Sequence, residues 1–262
     1  MPSTASPHVQ GYEGDFFSTS YPRIIAHRGL ALDAPENTLL AFLKALSAGA
    51  THLETDVHAS ADGVAVISHD PDLNRLVGRE VAVGQLRMSE LRRIDLGGGQ
   101  SFSSLAEALD AFPAARFNID IKDAAAEAPA ADAILAAGAT GRVLITSFDE
   151  GRRRRTADAL PGVASSASVS RVLASVVGAK LAIAPLVRRA LHGLVAVQVP
   201  ERSGPLRVVT RRTVEAIHAA GREVHVWTVN DPADMTRLLD LGVDGIVTDR
   251  CDVLKALVDA RI

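Results

Sequence analysis

Between residues 27 and 70 the chain gathers His27-Arg28-Gly29, Glu36-Asn37-Thr38, Glu54-Thr55-Asp56 and His69-Asp70, with the bearing groups at or just beyond apolar, strand-like runs. Histidine exchanges a proton near neutrality, and arginine forks onto phosphate or carboxylate oxygens. Glu54 and Asp56 lie two apart in an extended run, so both side chains point to one side. Carboxylates that close repel, and away from water they stay ionised together only with a cation between them. Hard oxygen donors favour Mg²⁺ or Ca²⁺ over zinc. Asp120, in Phe117-Asn118-Ile119-Asp120-Ile121-Lys122, repeats this geometry and shares its face with Lys122. A cation held by Glu54, Asp56 and Asp120 beside Lys122 reads as a site for an anion, with phosphate the best match. The plainer alternative is a set of strand-end carboxylates paired with neighbouring lysine or arginine.

His27 and His69 add what a cation lacks, a base to activate an attacking hydroxyl and an acid to protonate a departing alkoxide. Each ends an apolar run and precedes a charged residue, Arg28 or Asp70, able to bind phosphate or to anchor a loop. His58 is a minor candidate because it lies close to Asp56. Trp227, at the end of a late strand, either offers an aromatic face to a ligand or fills the core. Gln198, at another strand end, is a polar contact or a cap on the core. The single cysteine, Cys251, rules out an intrachain disulfide and reads as a bystander. Arg152 to Arg155 wrap round a helix start and read as solvated surface.

These residues need a rigid frame. Nearly all-apolar β-branched runs alternate with helical stretches from Ile24 to Val258. That rhythm implies a parallel sheet covered on both faces or closed on itself, and the number of units favours a (β/α)₈ TIM barrel. Nine strand candidates compete for eight places, and Asp62-Gly63 links two runs by a hairpin-type turn with no helix, so one run is accessory or the barrel is locally irregular. A doubly wound sheet is the second choice, but His27-Arg28-Gly29 is not the glycine-rich phosphate motif that fold requires. The expected organisation is an N-terminal tail or strap over residues 1–22 and one barrel domain over 23–262. A small insertion after the third run, including Gly97-Gly98-Gly99, is expected to cap the mouth.

A net charge of −3 gives no general attraction to nucleic acid, and no stretch reaches the roughly 18 apolar residues of a membrane span. The first residues lack the pattern of a secretory signal, so a cytoplasmic protein without stable membrane insertion is expected, its oligomeric state open.

The ordered set His27-Arg28-Gly29, Glu36-Asn37-Thr38, Glu54-x-Asp56, Asp62-Gly63 to His69-Asp70, Asn118 to Lys122, Val226-Trp227-Thr228-Val229-Asn230 and Gly242 to Asp249 resembles the glycerophosphodiester phosphodiesterase family. The resemblance runs from about residue 23 to the C-terminus. It implies a metal-dependent TIM-barrel hydrolase of lipid metabolism that cleaves small glycerophosphodiesters to glycerol 3-phosphate and an alcohol. His27 and His69 match the catalytic pair, and Glu54, Asp56 and Asp120 the metal carboxylates. Asp120 stands where the family usually has glutamate. Alternatives are lysophospholipase D-type cleavage, for which the apolar stretch Val169 to Leu191 would serve as a rim, and a phosphate-binding barrel without catalysis.

Overall fold

A computed structural model describes Val9 and residues 12–261. The remainder of the N-terminal segment, including residues 1–8, lies outside the described residues. Eight strands run in parallel: β1 Arg23–His27, β2 His52–Ala59, β3 Phe117–Ile121, β4 Val143–Thr146, β5 Ala164–Ser165, β6 Ala196–Pro200, β7 Glu223–Trp227 and β8 Gly245–Thr248. They pair in the order 5-4-3-2-1-8-7-6. A parallel bridge between Ser166 and Ala196, with Val195 N donating to Ser165 O at 3.0 Å, joins the two edges. This closure makes the sheet a TIM barrel and removes the doubly wound alternative. The seam falls at β5, the weakest strand signal of the sequence, where two polar serines interrupt the apolar run.

Helices α1 Leu39–Ser47, α2 Leu105–Ala111, α3 Glu127–Ala136, α4 Glu150–Asp158, α5 Val169–Lys180, α6 Ala184–Ala190, α7 Arg211–His218, α8 Pro232–Asp240 and α9 Cys251–Asp259 surround the strands. Their starts are set by side chains that accept from exposed backbone N–H groups, such as Thr38 from Ala41 and Asp231 from Ala233 and Asp234. The core is the layer between strands and helices, with Phe42, Leu53, Phe117, Ile134 and Leu254 fully buried.

The ninth strand candidate is accessory. Ala65–Ile67 runs antiparallel to β2, with Val57 opposite Ile67, after a turn in which Gly63 takes φ +74° and Ser60 Oγ donates to Asp62 Oδ1 at 2.7 Å. The insertion that follows has its own small core of Val66, Leu73, Val83, Met88, Leu91, Ile94 and Phe102. It does not cap the mouth as the sequence suggests. Residues 70–104 contribute nothing to the lining of the cavity described below. Packing their apolar side chains against Val66 draws them to the flank of β2.

At the opposite, N-terminal end of the strands, Phe16 and Phe17 plug the barrel against Leu144, Ala164 and Val195. Beside them the buried Arg23 guanidinium pairs with Glu223 at 3.0 Å, and Glu223 accepts from His225 Nε2 at 2.9 Å. His52 Nε2 bonds Phe16 O at 2.8 Å, which ties the plug to β2.

The four-arginine run is only partly surface. Arg153 is buried, bonding Glu150 and Ser165, while Arg152 Nη1 donates to the Lys122 carbonyl at 2.5 Å. A helix that packs along a barrel turns two of any four consecutive residues toward it, whatever their charge.

Candidate active site

At the C-terminal ends of the strands lies a cavity of about 540 Å³, where TIM barrels place their chemistry. His27, Arg28, Glu54, Asp56, His69, Asp120, Lys122, Gln198 and Trp227, the nine residues selected from the sequence, all line it. The register accounts for this convergence. Parallel pairing sets His27 beside Glu54, Glu54 beside Asn118 and Asp56 beside Asp120, so three adjacent strands deliver their polar residues at matching heights.

Backbone strain supports the first strand end. Arg28 and Asn37 both take φ +56°, a left-handed conformation that non-glycine residues hold only when surroundings enforce it. Arg28 N lies 3.1 Å from Glu54 O and 3.0 Å from Glu54 Oε2, and Asn37 N donates to Arg28 O at 2.9 Å. Gly29, at φ +84°, brings the backbone against α1, where a Cβ would come within 2.7 Å of the Ala41 carbonyl carbon. This close approach explains the His-Arg-Gly order.

Each histidine has its Nδ1 held by a carboxylate. His27 Nδ1 lies 2.7 Å from Asp249 Oδ1, and Asn230 Nδ2 donates to Asp249 Oδ2 at 2.6 Å. His69 Nδ1 lies 2.7 Å from Asp70 Oδ1, while Arg75 donates to Asp70 Oδ2 and to Glu36. With Nδ1 as donor, Nε2 carries the free lone pair in the neutral ring, the form needed to take a proton. Burial alone lowers the His27 pKa, but the Asp249 hydrogen bond and the Glu54 charge outweigh it and the net direction is up.

Asp249 closes the last sequence motif, and nothing local to it marks a role except its position directly after an apolar strand. Only closure of β8 onto β1 brings it to His27. His58, the minor candidate, stands behind the site. Its Nδ1 bonds Asp123 at 2.7 Å and its Nε2 lies 3.2 Å from the His69 carbonyl oxygen, which steadies the loop carrying His69.

Three carboxylates and two cations share the cavity floor. Lys122 Nζ sits 2.7 Å from Asp56 Oδ1 and 2.6 Å from Asp120 Oδ2. Arg28 Nε lies 3.3 Å from Asp56 Oδ2, an ion-pair distance outside hydrogen-bond geometry, and Arg28 Nη1 donates to Glu36 at 3.0 Å. Burial opposes the lysine charge, yet Asp56 and Asp120 outweigh it and raise the Lys122 pKa. Glu54 is the unneutralised member. Burial and the adjacent Asp56 charge push its pKa up to about 8. Asp120 Oδ1 is buried without a partner. A buried acid cluster with an orphan oxygen fits a hard divalent cation by its donor chemistry. Among the described residues, however, no three His, Cys, Asp or Glu side chains already stand as a metal cage, and Lys122 Nζ lies between two of the carboxylates.

The far wall is different. Gln198 accepts from Asn118 Nδ2 and from Ser166 Oγ, each at 3.4 Å, and its Nε2 lies 3.3 Å from His225 Nδ1. Trp227 is partly exposed to the cavity and meets Phe148 edge-on at 6.1 Å, so it does not simply fill the core. Replacing Asp249 with asparagine removes the charge behind His27 with little change in volume. The expected result is a fall in kcat of about tenfold or more with KM and melting temperature nearly unchanged. Equal losses in kcat and thermal stability would show that Asp249 only holds β8 in place.

A closed barrel whose C-terminal mouth gathers carboxylate-anchored histidines, an arginine and a lysine has the groups to receive an anionic substrate. The chain matches the glycerophosphoryl diester phosphodiesterase family over residues 27–253 and belongs to it; it is a phosphoric diester hydrolase. It is 44% identical over 239 residues to a probable glycerophosphodiester phosphodiesterase 2 of Mycobacterium tuberculosis, covering 90% of each chain. A crystal structure of glycerophosphodiester phosphodiesterase from Agrobacterium tumefaciens is similar with a TM-score of 0.73 at 26% identity, covering 90% of this chain and 98% of that one. An Oleispira antarctica phosphodiesterase, solved with the product sn-glycerol-3-phosphate, shares the fold with a TM-score of 0.74 at 21% identity, covering 91% and 97%.

Proposed function

We propose that this site cleaves small glycerophosphodiesters to glycerol 3-phosphate and an alcohol by histidine acid–base catalysis with a divalent cation, Mg²⁺ or Ca²⁺. The observation that carries the reading is the pair His27 and His69, each with Nδ1 held by a carboxylate, in one cavity with Arg28 and Lys122. His27 takes the proton from the attacking hydroxyl, either of water, which gives glycerol 3-phosphate directly, or of the substrate's own glycerol, which gives a cyclic phosphate that a water then opens to glycerol 3-phosphate. His69 gives a proton to the departing alkoxide, which cannot leave as a free anion at neutral pH. Arg28 and Lys122 stabilise the charge that grows on the nonbridging phosphate oxygens.

Glu54, Asp56 and Asp120 would hold the cation. When bound it supplies Lewis-acid polarisation of the phosphoryl group. Asp120, shorter than glutamate by one methylene, leans on Lys122 in the structure. Trp227 and Phe148 offer an aromatic edge to the alcohol, with a choline ammonium the best-matched group. Gln198 contributes a polar contact at the far wall. One observation favours a second reading, lysophospholipid cleavage: Val169, Val172, Leu173 and Val176 give the cavity an apolar side suited to an acyl chain.

Release of glycerol 3-phosphate from glycerophosphocholine, coupled to glycerol 3-phosphate dehydrogenase, tests the proposal. Turnover is expected with Mg²⁺ or Ca²⁺ and is lost on chelation. Chelator-insensitive turnover would contradict the cation, and absence of turnover on any glycerophosphodiester would contradict the reading itself. Glu54→Gln is expected to raise the cation concentration for half-maximal activity by about tenfold or more, since a neutral amide is the weaker donor.

A further inference from the structure

Of the ten large hydrophobic residues exposed among the described residues, Phe148, Val169, Leu173 and Leu206 line the cavity, and Val177, Leu181 and Ile183 follow along α5 and just beyond its end. Four of these, Val169, Leu173, Val177 and Leu181, recur every fourth residue along α5 and its C-cap, so they form one stripe, 40 to 63% exposed. The same helix lines the cavity through Val172 and Val176, and its last residue is tied to the far side of the rim. Lys180 Nζ donates to the Arg207 carbonyl at 3.0 Å, in the Arg202–Arg207 hairpin that follows β6.

Charge is segregated onto the same segment. Residues 168–212 contain eight of the 28 lysines and arginines but only one of the 31 acidic residues, Glu201, which gives +7 within a chain of net −3. Arg188, Arg189, Arg202, Arg207, Arg211 and Arg212 are exposed, and none has an ion-pair partner among the described residues. Arg188 and Arg212 border a depression with Ala182 and Ala184, directly beside Leu181 and Ile183. An exposed apolar stripe flanked by unpaired arginines is complementary to an anionic lipid surface. Apolar side chains enter the acyl boundary and guanidinium groups meet the headgroup phosphates. No helix among the described residues is long and apolar enough to cross a membrane, so such contact is peripheral.

We infer that the α5–hairpin rim docks on an anionic bilayer and sets the mouth of the cavity at the lipid surface. The docking stands on the rim alone; that it delivers lipid-borne phosphodiesters to the site rests on the phosphodiesterase reading above.

Co-sedimentation with phosphatidylcholine vesicles, with and without phosphatidylglycerol, tests it. The protein is expected to bind only the phosphatidylglycerol-containing vesicles, and less at high salt. The double variant Val177→Glu with Leu181→Glu, and separately Arg188→Glu with Arg189→Glu, should each weaken binding by about tenfold or more. None of these residues lines the cavity, so turnover of soluble glycerophosphocholine should not change. Absence of wild-type binding, equal binding to both vesicle types, or variants that bind as the wild type does would overturn the docking. A dimer in light scattering that Val177→Glu with Leu181→Glu dissolves, without vesicle binding, would also overturn it by assigning the rim to a second copy. Vesicle binding together with no turnover of any glycerophosphodiester would instead remove the phosphodiesterase reading and leave the docking intact.

Discussion

His69→Ala is expected to lower kcat on glycerophosphocholine by about 10²- to 10⁴-fold, the contribution of a positioned proton donor. The melting temperature should stay close to the wild-type value. The His69 side chain is 36% exposed and its ring makes one bond, to Asp70, so truncation opens no cavity in the core. Arg75 and Glu36 would still hold Asp70 and the loop in place. Steady-state kinetics with thermal unfolding of the same preparation separate the two effects. A parallel loss of activity and stability would mean that His69 braces the loop and does no chemistry.

The largest stability effect is expected at the other end of the barrel. Glu223→Ala leaves the Arg23 guanidinium buried and uncompensated, which costs about 3–5 kcal/mol in comparable buried pairs. Urea unfolding should show the loss as a lower midpoint with an unchanged slope; a change below about 1 kcal/mol would mean that water reaches Arg23. Burial raises the Glu223 pKa, but His225 and Arg23 outweigh it and hold the carboxyl well below its usual range. Its contribution is therefore full above the unfolded value of about 4.3 and is lost as pH falls toward the depressed folded value. His52 acts in the same direction. Burial lowers its pKa to about 3, so below the unfolded value of about 6.5 the unfolded chain takes up the proton first. Between about pH 6.5 and 4.5 the raised pKa of Glu54 opposes this loss, because the folded chain binds that proton first, so stability should decline chiefly below about pH 4.5, where His52 and Glu223 act together.

Strand-end chemistry was legible in the sequence because it depends on local rules. Period-two spacing placed Glu54 with Asp56, and Asp120 with Lys122, on shared faces, and the apolar runs before His27 and His69 marked them as strand ends. Alternation of strands and helices gave the barrel, and Asp62-Gly63 pointed to the accessory strand. Partnerships across closure were not legible. Asp249 reaches His27 only because β8 pairs with β1, and Arg75 reaches Glu36 across 39 residues. The insertion was misplaced for a similar reason. Its sequence offers a glycine run and a cap over the mouth, but which wall it packs against is decided by Val66 and Phe102, whose contacts are non-local. Lys122 was read as a phosphate ligand beside a metal, and its position between Asp56 and Asp120 depends on the β2–β3 register.

The central claim is the division of labour between His27 and His69, and leaving-group dependence tests it most directly. kcat/KM would be measured for wild type, His27→Ala and His69→Ala on glycerophosphocholine and on glycerol p-nitrophenyl phosphate, whose phenolate departs without a proton. If His69 is the acid and His27 the base, His69→Ala loses activity on the choline ester but keeps most of it on the nitrophenyl ester, while His27→Ala loses both. Equal losses for His69→Ala on the two substrates would contradict the assignment.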